Sequence, residues 1–334
     1  MKSILSKLFN GGTLSKEEAS SAMDLLMEGK APPEQIGAFL GILRGRKETV
    51  EEIAGCASSM RNHAKTLNLK RTDLVDTCGT GGDGAGTFNI STVNAFIIAA
   101  AGLGVVKHGN RSVSSKCGSA DVLEKLGVPI DLPLERVQEA VETLGFGFLF
   151  APAFHPAMKN VVPIRKSLGV RTVFNLLGPL TNPAGAKRQV IGIYDRQLLE
   201  TLAKVLRELG SEEVMLVTGS DGLDEITISG STDVAHLRNG EISLYQVSPK
   251  DFGVEPAPLS AVEGGDVALN TKIALDILGG EEKGPKRDIV LMNASAVFVV
   301  TGKVENFMDG MALARDIIDS GKAMAVLEKL KEFR

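Results

Sequence analysis

The run from Asp76 to Thr92, D-T-C-G-T-G-G-D-G-A-G-T-F-N-I-S-T, joins a strand-like Leu74-Val75 to a helix-like stretch from Val93 to Ala101. A strand that turns through glycines into a helix is the opening of an α/β unit, so this run decides the fold class. Gly79, Gly81, Gly82, Gly84 and Gly86 let the backbone turn tightly and approach a ligand closely, because no Cβ stands in the way. A helix start adds N–H groups and a positive dipole end that favour an anion. Together these features describe a loop that wraps a phosphorylated ligand. It is neither of the two common phosphate loops. The glycines thread onto G-x-G-x-x-G only by chance, the helix begins after Asn89, and Asp83 stands in the middle. A Gly-Lys-Ser/Thr triplet is missing. Ser91 and Thr92 bring hydroxyls to the helix start, where Ser91 also suits the N-cap.

Outward from this run, strand patterns recur at 74–78, 104–107, 146–150, 189–193 and 213–218. Helical patterns at about 91–102, 119–126, 134–144 and 196–209 separate most of them, which predicts an α/β domain with a mostly parallel central sheet. Val234–Leu237 and Ile242–Val247 flank Arg238-Asn239-Gly240-Glu241, and Asn-Gly predicts an added antiparallel hairpin. Three helices close the chain, at about 266–279, 285–301 and 306–331, the last broken near Ser320-Gly321. Upstream, the first seventy residues read as three amphipathic helices. Ser15 with Glu18 and Thr49 with Glu52 form capping boxes, and Pro32-Pro33 opens the helix between them. Residues 152–188 break the alternation, with Pro152, Pro156, Pro163, Pro179 and Pro183. They are expected to leave the sheet, run against the helical segment and return, forming a bridge where a site commonly lies. The expected organisation is a small helical domain over 1–70, with a return segment at about 155–185, and an α/β domain over 71–334.

A net charge of −4 provides no basic footprint for nucleic acid, and with no Trp and two Tyr the chain lacks stacking platforms for bases. The longest apolar runs, near Ala95–Ala101 and Ser295–Val300, are too short to span a bilayer. The N-terminus shows no apolar h-region and no small-residue cleavage site. Cys56, Cys78 and Cys117 form no C-x-x-C, which argues against zinc and fits a reducing cytoplasm. Cys78 and Cys117 border the glycine-rich segments without a His/Asn partner pattern and read as small packing residues.

Three further segments carry chemistry. Val105 to Asp121, V-V-K-H-G-N-R-S-V-S-S-K-C-G-S-A-D, gathers Lys107, His108, Arg111 and Lys116 with four serines at the end of a predicted parallel strand. Such a loop is dense in donors for phosphate oxygens and lies where α/β folds bind ligands. Gly219 to Thr227 carries adjacent Asp224 and Glu225, a pair that suits a hard divalent ion such as magnesium with phosphate oxygens completing its shell. From Phe154 onward, His155 and Arg165 suit a small anionic or aromatic substrate, since Arg matches a carboxylate in a two-pronged fork. Spacing alone leaves a structural role for these two equally open.

These segments, in this order, closely resemble the anthranilate phosphoribosyltransferase family over essentially the whole length. The resemblance rests on G-T-G-G-D at 79–83, N-I-S-T at 89–92, K-H-G-N-R-S-V-S-S at 107–115, C-G-S-A-D at 117–121, the Arg165 region, G-P-L-T-N-P at 178–183 and D-E at 224–225. It implies a helical domain plus an α/β domain similar to nucleoside phosphorylases, a homodimer formed through the helical domain, and a cytoplasmic enzyme of tryptophan biosynthesis. The implied reaction joins anthranilate to 5-phosphoribosyl 1-diphosphate (PRPP) and releases pyrophosphate. By the same resemblance, Gly79, Gly82, Asp83, Thr87, Asn89, Ile90, Ser91 and Thr92 surround the diphosphate sugar. So do Lys107, His108, Gly109, Asn110, Arg111, Ser112, Val113, Ser114, Ser115 and Ser119. Ser91, Asp224 and Glu225 hold Mg2+. Gly79, Asn110 and Arg165 contact anthranilate, and His108 and His155 line its approach. Lys107, Arg165, Asp224 and Glu225 are the expected catalytic residues. Two alternatives remain: a pyrimidine nucleoside phosphorylase of the same fold, and a non-catalytic relative that binds nucleic acid.

Overall fold

The computed structural model describes residues 1–112 and 116–333, so Val113, Ser114 and Ser115 lie outside the described residues. The chain opens with four helices rather than three: α1 (Lys2–Phe9), α2 (Lys16–Met27), α3 (Pro33–Arg46) and α4 (Val50–Asn62). α1 is short, and only Leu5 and Leu8 are buried on it, so its periodicity is faint in the sequence. A helix that short is held by tertiary packing, here against α3, rather than by propensity. Both capping boxes form. Ser15 Oγ accepts the Glu18 N–H while the Glu18 carboxylate accepts the Ser15 N–H, and Thr49 pairs with Glu52 in the same way. α2 lies along α4 so closely that a Cβ on Gly55 would sit 2.2 Å from the Lys16 carbonyl.

Seven strands form one sheet in the order β3-β2-β1-β4-β5-β6-β7. They are β1 (Leu74–Gly79), β2 (Gly104–Gly109), β3 (Phe146–Phe150), β4 (Arg188–Gly192), β5 (Glu213–Gly219), β6 (Thr232–Arg238) and β7 (Glu241–Val247). The first five pair in parallel, and β6 and β7 add antiparallel at one edge. Asn239 and Gly240 both take positive φ, 52° and 79°, as a two-residue hairpin turn requires. The crossovers run through α5 (Ile90–Ala100), α6 (Ser119–Lys125) and α7 (Leu134–Leu144). After β3 the chain leaves the sheet through α8 (Ala151–Phe154), α9 (Val162–Leu168) and α10 (Phe174–Leu180) before re-entering at β4. α11 (Leu199–Glu208), α12 (Val267–Leu278), α13 (Pro285–Val300), α14 (Phe307–Asp319) and α15 (Lys322–Glu332) complete it. Gly321, at φ 75°, separates the last two, where the sequence predicted a break.

The sheet has apolar layers on both faces. Phe96, Val105, Phe146 and Met215 pack with α5 and α13 on one side, and the Phe96 and Phe146 rings stack 5.0 Å apart. On the other side Ile191, Leu216 and Ala235 share a continuous core with α11 and with Met23, Leu26, Phe39 and Ile53 of the N-terminal helices. α9 packs on α3 and α10 on α4, and Asn160 Nδ2 donates to the Met27 carbonyl at 2.7 Å. The 152–188 bridge is therefore built into the helical layer. No described helix is long and apolar enough to cross a membrane.

Candidate active site

Parallel strands bring all their C-terminal ends to one edge, and the loops after β1, β2 and β5 meet there. Two glycines make the meeting possible. A Cβ on Gly79 would lie 2.3 Å from Asp224 Oδ2, and one on Gly192 would lie 1.5 Å from the Asp224 carbonyl oxygen. The acidic loop can lie across the ends of β1 and β4 only because neither position has a side chain.

Asp224 Oδ2 accepts the Gly81 N–H at 2.7 Å, and the Asp224 N–H reaches Asp83 Oδ2 at 3.4 Å. Glu225 Oε1 accepts the Ser91 N–H at 3.2 Å. From below, Asn293 of α13 clamps the loop: its Oδ1 accepts the Ile226 N–H and its Nδ2 donates to the Ile226 carbonyl. Burial, with Asp83 and Glu225 adding their repulsion, pushes the Asp224 carboxyl well above the usual range. Burial also raises Glu225, to about 7, against the pull of Lys107. Carboxylates crowded into a buried site are the donor set a divalent cation relieves. Among the described residues no three His, Cys, Asp or Glu side chains group closely enough to hold an ion by themselves. That suits magnesium, which takes one or two protein carboxylates and draws its other oxygens from substrate and water.

The start of α5 differs from its sequence reading. Asn89, not Ser91, is the N-cap residue, and Ser91 is the second residue of the helix. The first-turn amides are also engaged rather than free. Ile90 N–H goes to the Phe88 carbonyl, Ser91 N–H to Glu225 and Thr92 N–H to the Asn89 carbonyl. The positive end of the helix is thus already turned on the Glu225 carboxylate. Ile90 and Thr92 are buried and keep their side chains in the core.

Lys107 is 2% exposed, and its Nζ donates to the Thr77 carbonyl at 2.8 Å and to Ser91 Oγ at 3.2 Å. It sits beneath the ends of β1 and β2 and touches the start of α5 through Ser91. Burial lowers its pKa, while Asp76, Cys78 and Glu225 oppose that shift. Asp76, wholly buried and pushed up by burial, is held by Asn182 Nδ2 at 2.8 Å.

In the loop after β2, Asn110 turns its Oδ1 onto the Arg111 N–H, and its carbonyl accepts from Ser119 Oγ at 3.3 Å. The Arg111 guanidinium is engaged by Asp121 and Glu124, so it anchors the loop to α6. Asp121 also accepts the Ser112 and Gly118 N–H groups. Gly109 admits Ser119 Oγ at 2.3 Å from where its Cβ would be. Thr87 bridges to Glu263, and Gly264 N–H donates to the Gly86 carbonyl. Asn270 of α12 donates to Asn89 Oδ1 at 3.1 Å and accepts the Gly265 N–H.

The bridge supplies the opposite wall. His108 Nδ1 pairs with the Gly178 carbonyl at 3.2 Å, and the Thr181 backbone lies beside His155. Their rings stand 5.0 Å apart, and each leaves its Nε2 buried without a partner among the described residues. Burial lowers His108 to about 3 and His155 to about 4, so both are neutral at pH 7. Arg165, half-buried, lies 5.1 Å over the Phe174 ring, with its pKa lowered by burial. Burial raises the Cys78 and Cys117 thiols, as packing residues require. Sequence reading missed Asn182, Asn270, Asn293 and Arg171 as supports of the site. Asn182 stands inside G-P-L-T-N-P, and Arg171 is a third arginine or lysine site within six residues of Arg165, but Asn270 and Asn293 carry no local signal.

Two family models match the chain: the glycosyl transferase family, helical bundle domain, over residues 2–64, and the glycosyl transferase family, a/b domain, over residues 71–324. The chain is 51% identical to the anthranilate phosphoribosyltransferase of Persephonella marina, covering 100% of this chain and 98% of that one. It superposes on the crystal structure of the Thermus thermophilus anthranilate phosphoribosyltransferase with a TM-score of 0.94, at 45% identity, covering 99% and 98% of the two chains. The Saccharomyces cerevisiae enzyme in complex with PRPP and Mg superposes with a TM-score of 0.91 at 30% identity, covering 99% of this chain and 96% of that one.

Proposed function

The chain belongs to the anthranilate phosphoribosyltransferase family, and on that premise we infer that it transfers the 5-phosphoribosyl group of PRPP to the amine of anthranilate in tryptophan biosynthesis. The observation that carries this reading is the meeting of Asp83, Asp224, Glu225 and the start of α5 at the ends of the parallel strands, with His108 tied to the bridge at the Gly178 carbonyl. The yeast relative, solved with PRPP and Mg, supports the same ligand and ion here.

Asp224, Glu225 and the Ser91 hydroxyl would hold magnesium, which when bound offsets the charge gathering on the departing pyrophosphate. The rest is the work of this chain's residues. The glycine loop and the 107–119 loop bind and orient the diphosphate sugar. Lys107 fixes Ser91 Oγ from below and adds positive potential where negative charge develops. Arg165 takes the anthranilate carboxylate in its fork, so that the amine faces the anomeric carbon, and positioning of this kind supplies much of the rate. An aromatic amine is neutral at pH 7 and needs no prior deprotonation. The proton it sheds after C–N bond formation is acidic, so a weak base suffices, and the neutral rings of His108 and His155 are weak bases beside this wall.

The homodimer and the cytoplasmic setting belong to the same proposal. Phe9 is 69% exposed at the end of α1. Gly37, Gly41 and Gly45 stand four apart on α3 with open space where a Cβ would be. Each such glycine costs a helix about 0.5–1 kcal/mol relative to alanine, a cost that close approach of a second subunit explains. No disulfide joins Cys56, Cys78 or Cys117.

The deciding assay mixes the protein, magnesium, PRPP and anthranilate, then follows loss of anthranilate fluorescence together with pyrophosphate release. Both signals are expected, in equal amounts. Folded protein that produces neither overturns the reading, and phosphate-dependent nucleoside cleavage would favour the phosphorylase alternative.

A further inference from the structure

We propose that Arg171 is a positioning residue that latches the bridge segment to the glycine loop, so that the two substrate walls move as one. The proposal rests on the reading of the cleft above. Arg171 lies in the short joint between α9 and α10. Gly169, at φ 63°, ends α9, and the Thr172 N–H pairs with Asn175 Oδ1 at 3.0 Å to begin α10. One side of the joint carries Arg165, and the other carries the Gly178 carbonyl that holds His108. From this joint Arg171 reaches across the cleft and donates through Nη2 to the Gly82 carbonyl, in the middle of the glycine loop.

Two features make this more than a surface contact. The Arg171 guanidinium lies 3.8 Å over the Tyr194 ring, and Tyr194 is itself tied to the loop, its N–H donating to Thr80 Oγ1 at 3.1 Å. A planar guanidinium stacks on a ring while its edge N–H groups stay free to donate, which the point charge of a lysine cannot reproduce. Gly82 adopts φ 75°, and a Cβ there would lie 3.0 Å from Arg171 Nη2, so the glycine both sets the turn and leaves room for the guanidinium. The Gly82 carbonyl and the Asp83 N–H belong to one planar peptide and point in opposite directions. By holding the first, Arg171 sets the direction of the second, and with it the approach of Asp83 to Asp224. The latch therefore acts on the PRPP side although its base belongs to the anthranilate side.

The test compares Arg171→Ala and Arg171→Lys with the native enzyme. Steady-state kinetics for each substrate are measured beside amide hydrogen exchange of the substrate-free protein. The Ala variant is expected to raise KM for PRPP by about tenfold or more, the size of one lost hydrogen bond to a charged group, and to raise KM for anthranilate less. Lys is expected to recover little of the loss. Exchange is expected to quicken over residues 80–86 while the sheet stays protected. Native KM values with native exchange at 80–86 would overturn the proposal. So would full recovery by Lys, which would leave only a charge, or faster exchange spread over the whole sheet, which would mean a general packing role. If the native enzyme fails to turn over PRPP and anthranilate, the functional reading falls, and exchange at 80–86 still decides the latch.

Discussion

Replacing Gly192 by alanine tests whether the acidic loop is held in place by the absence of a side chain. The added Cβ would lie 1.5 Å from the Asp224 carbonyl oxygen, 2.3 Å from its carbonyl carbon and 3.0 Å from its Cα. All three are backbone atoms, so no side chain can rotate to relieve the clash. Ordinary contact begins at 3.4 Å, so the loop must withdraw by about 1.9 Å or β4 must distort. Overpacking of this kind costs about 1–3 kcal/mol of stability, which in a domain of this size lowers the melting temperature by a few degrees. The larger effect falls on chemistry. A misplacement of about 1 Å costs roughly a hundredfold in rate, so Gly192→Ala is expected to lose at least about a hundredfold in kcat/KM, or ~2.7 kcal/mol of transition-state stabilisation. Loss of anthranilate fluorescence at saturating magnesium measures it, with circular dichroism confirming the fold. Gly79→Ala is the internal comparison. Its Cβ meets Asp224 Oδ2, a side-chain atom, at 2.3 Å, so the carboxylate can turn away at the cost of its bond to the Gly81 N–H. That variant should keep its stability better and demand more magnesium. A folded Gly192→Ala enzyme within about threefold of native kcat/KM would refute the reasoning.

Arg165→Ala is expected to raise KM for anthranilate by about tenfold to a hundredfold, the value of a charge-assisted pair, with KM for PRPP little changed; equal effects on both substrates would count against its assignment. Asp224→Asn and Glu225→Gln should each shift the magnesium titration of turnover to higher concentration, and an unshifted midpoint in both would remove them from the ion site. Glu225 also predicts a pH dependence. Its carboxyl titrates near 4.5 unfolded and at about 7 folded, so between these values the folded state holds the extra proton. Stability of the magnesium-free protein should therefore fall as pH rises from about 4.5 through 7. Magnesium should restore more of the melting temperature at pH 7.5 than at pH 5, and a magnesium effect independent of pH would contradict this.

Much of the fold was legible because its signals are local. The capping boxes at Ser15 and Thr49 form as read, since a side chain three residues from a helix start has few alternative partners. The Asn239-Gly240 turn and the break at Gly321 follow from the backbone freedom those residues allow. α1 escaped notice because two buried leucines on eight residues give too weak a period, and its helix is stabilised by α3. In the site, the sequence marked the acidic pair, the glycine loop and the basic loop. It could not show the partners that Lys107, Arg111 and the Ser91 amide take, because those partners lie outside the local segment. Ser91 N–H meets Glu225, and Arg111 meets Glu124.

By itself, then, the sequence determined the strands and most of the helices, and which chemical groups crowd the ends of the parallel strands. Periodicity, caps and glycines act over a few residues, and composition survives folding unchanged. Only the tertiary structure decided which of those groups face the cleft and which are spent holding it. A buried donor takes the nearest acceptor whatever its position in the chain, so Lys107 turns to Thr77 and Ser91, Asn293 to Ile226 and Arg171 to Gly82.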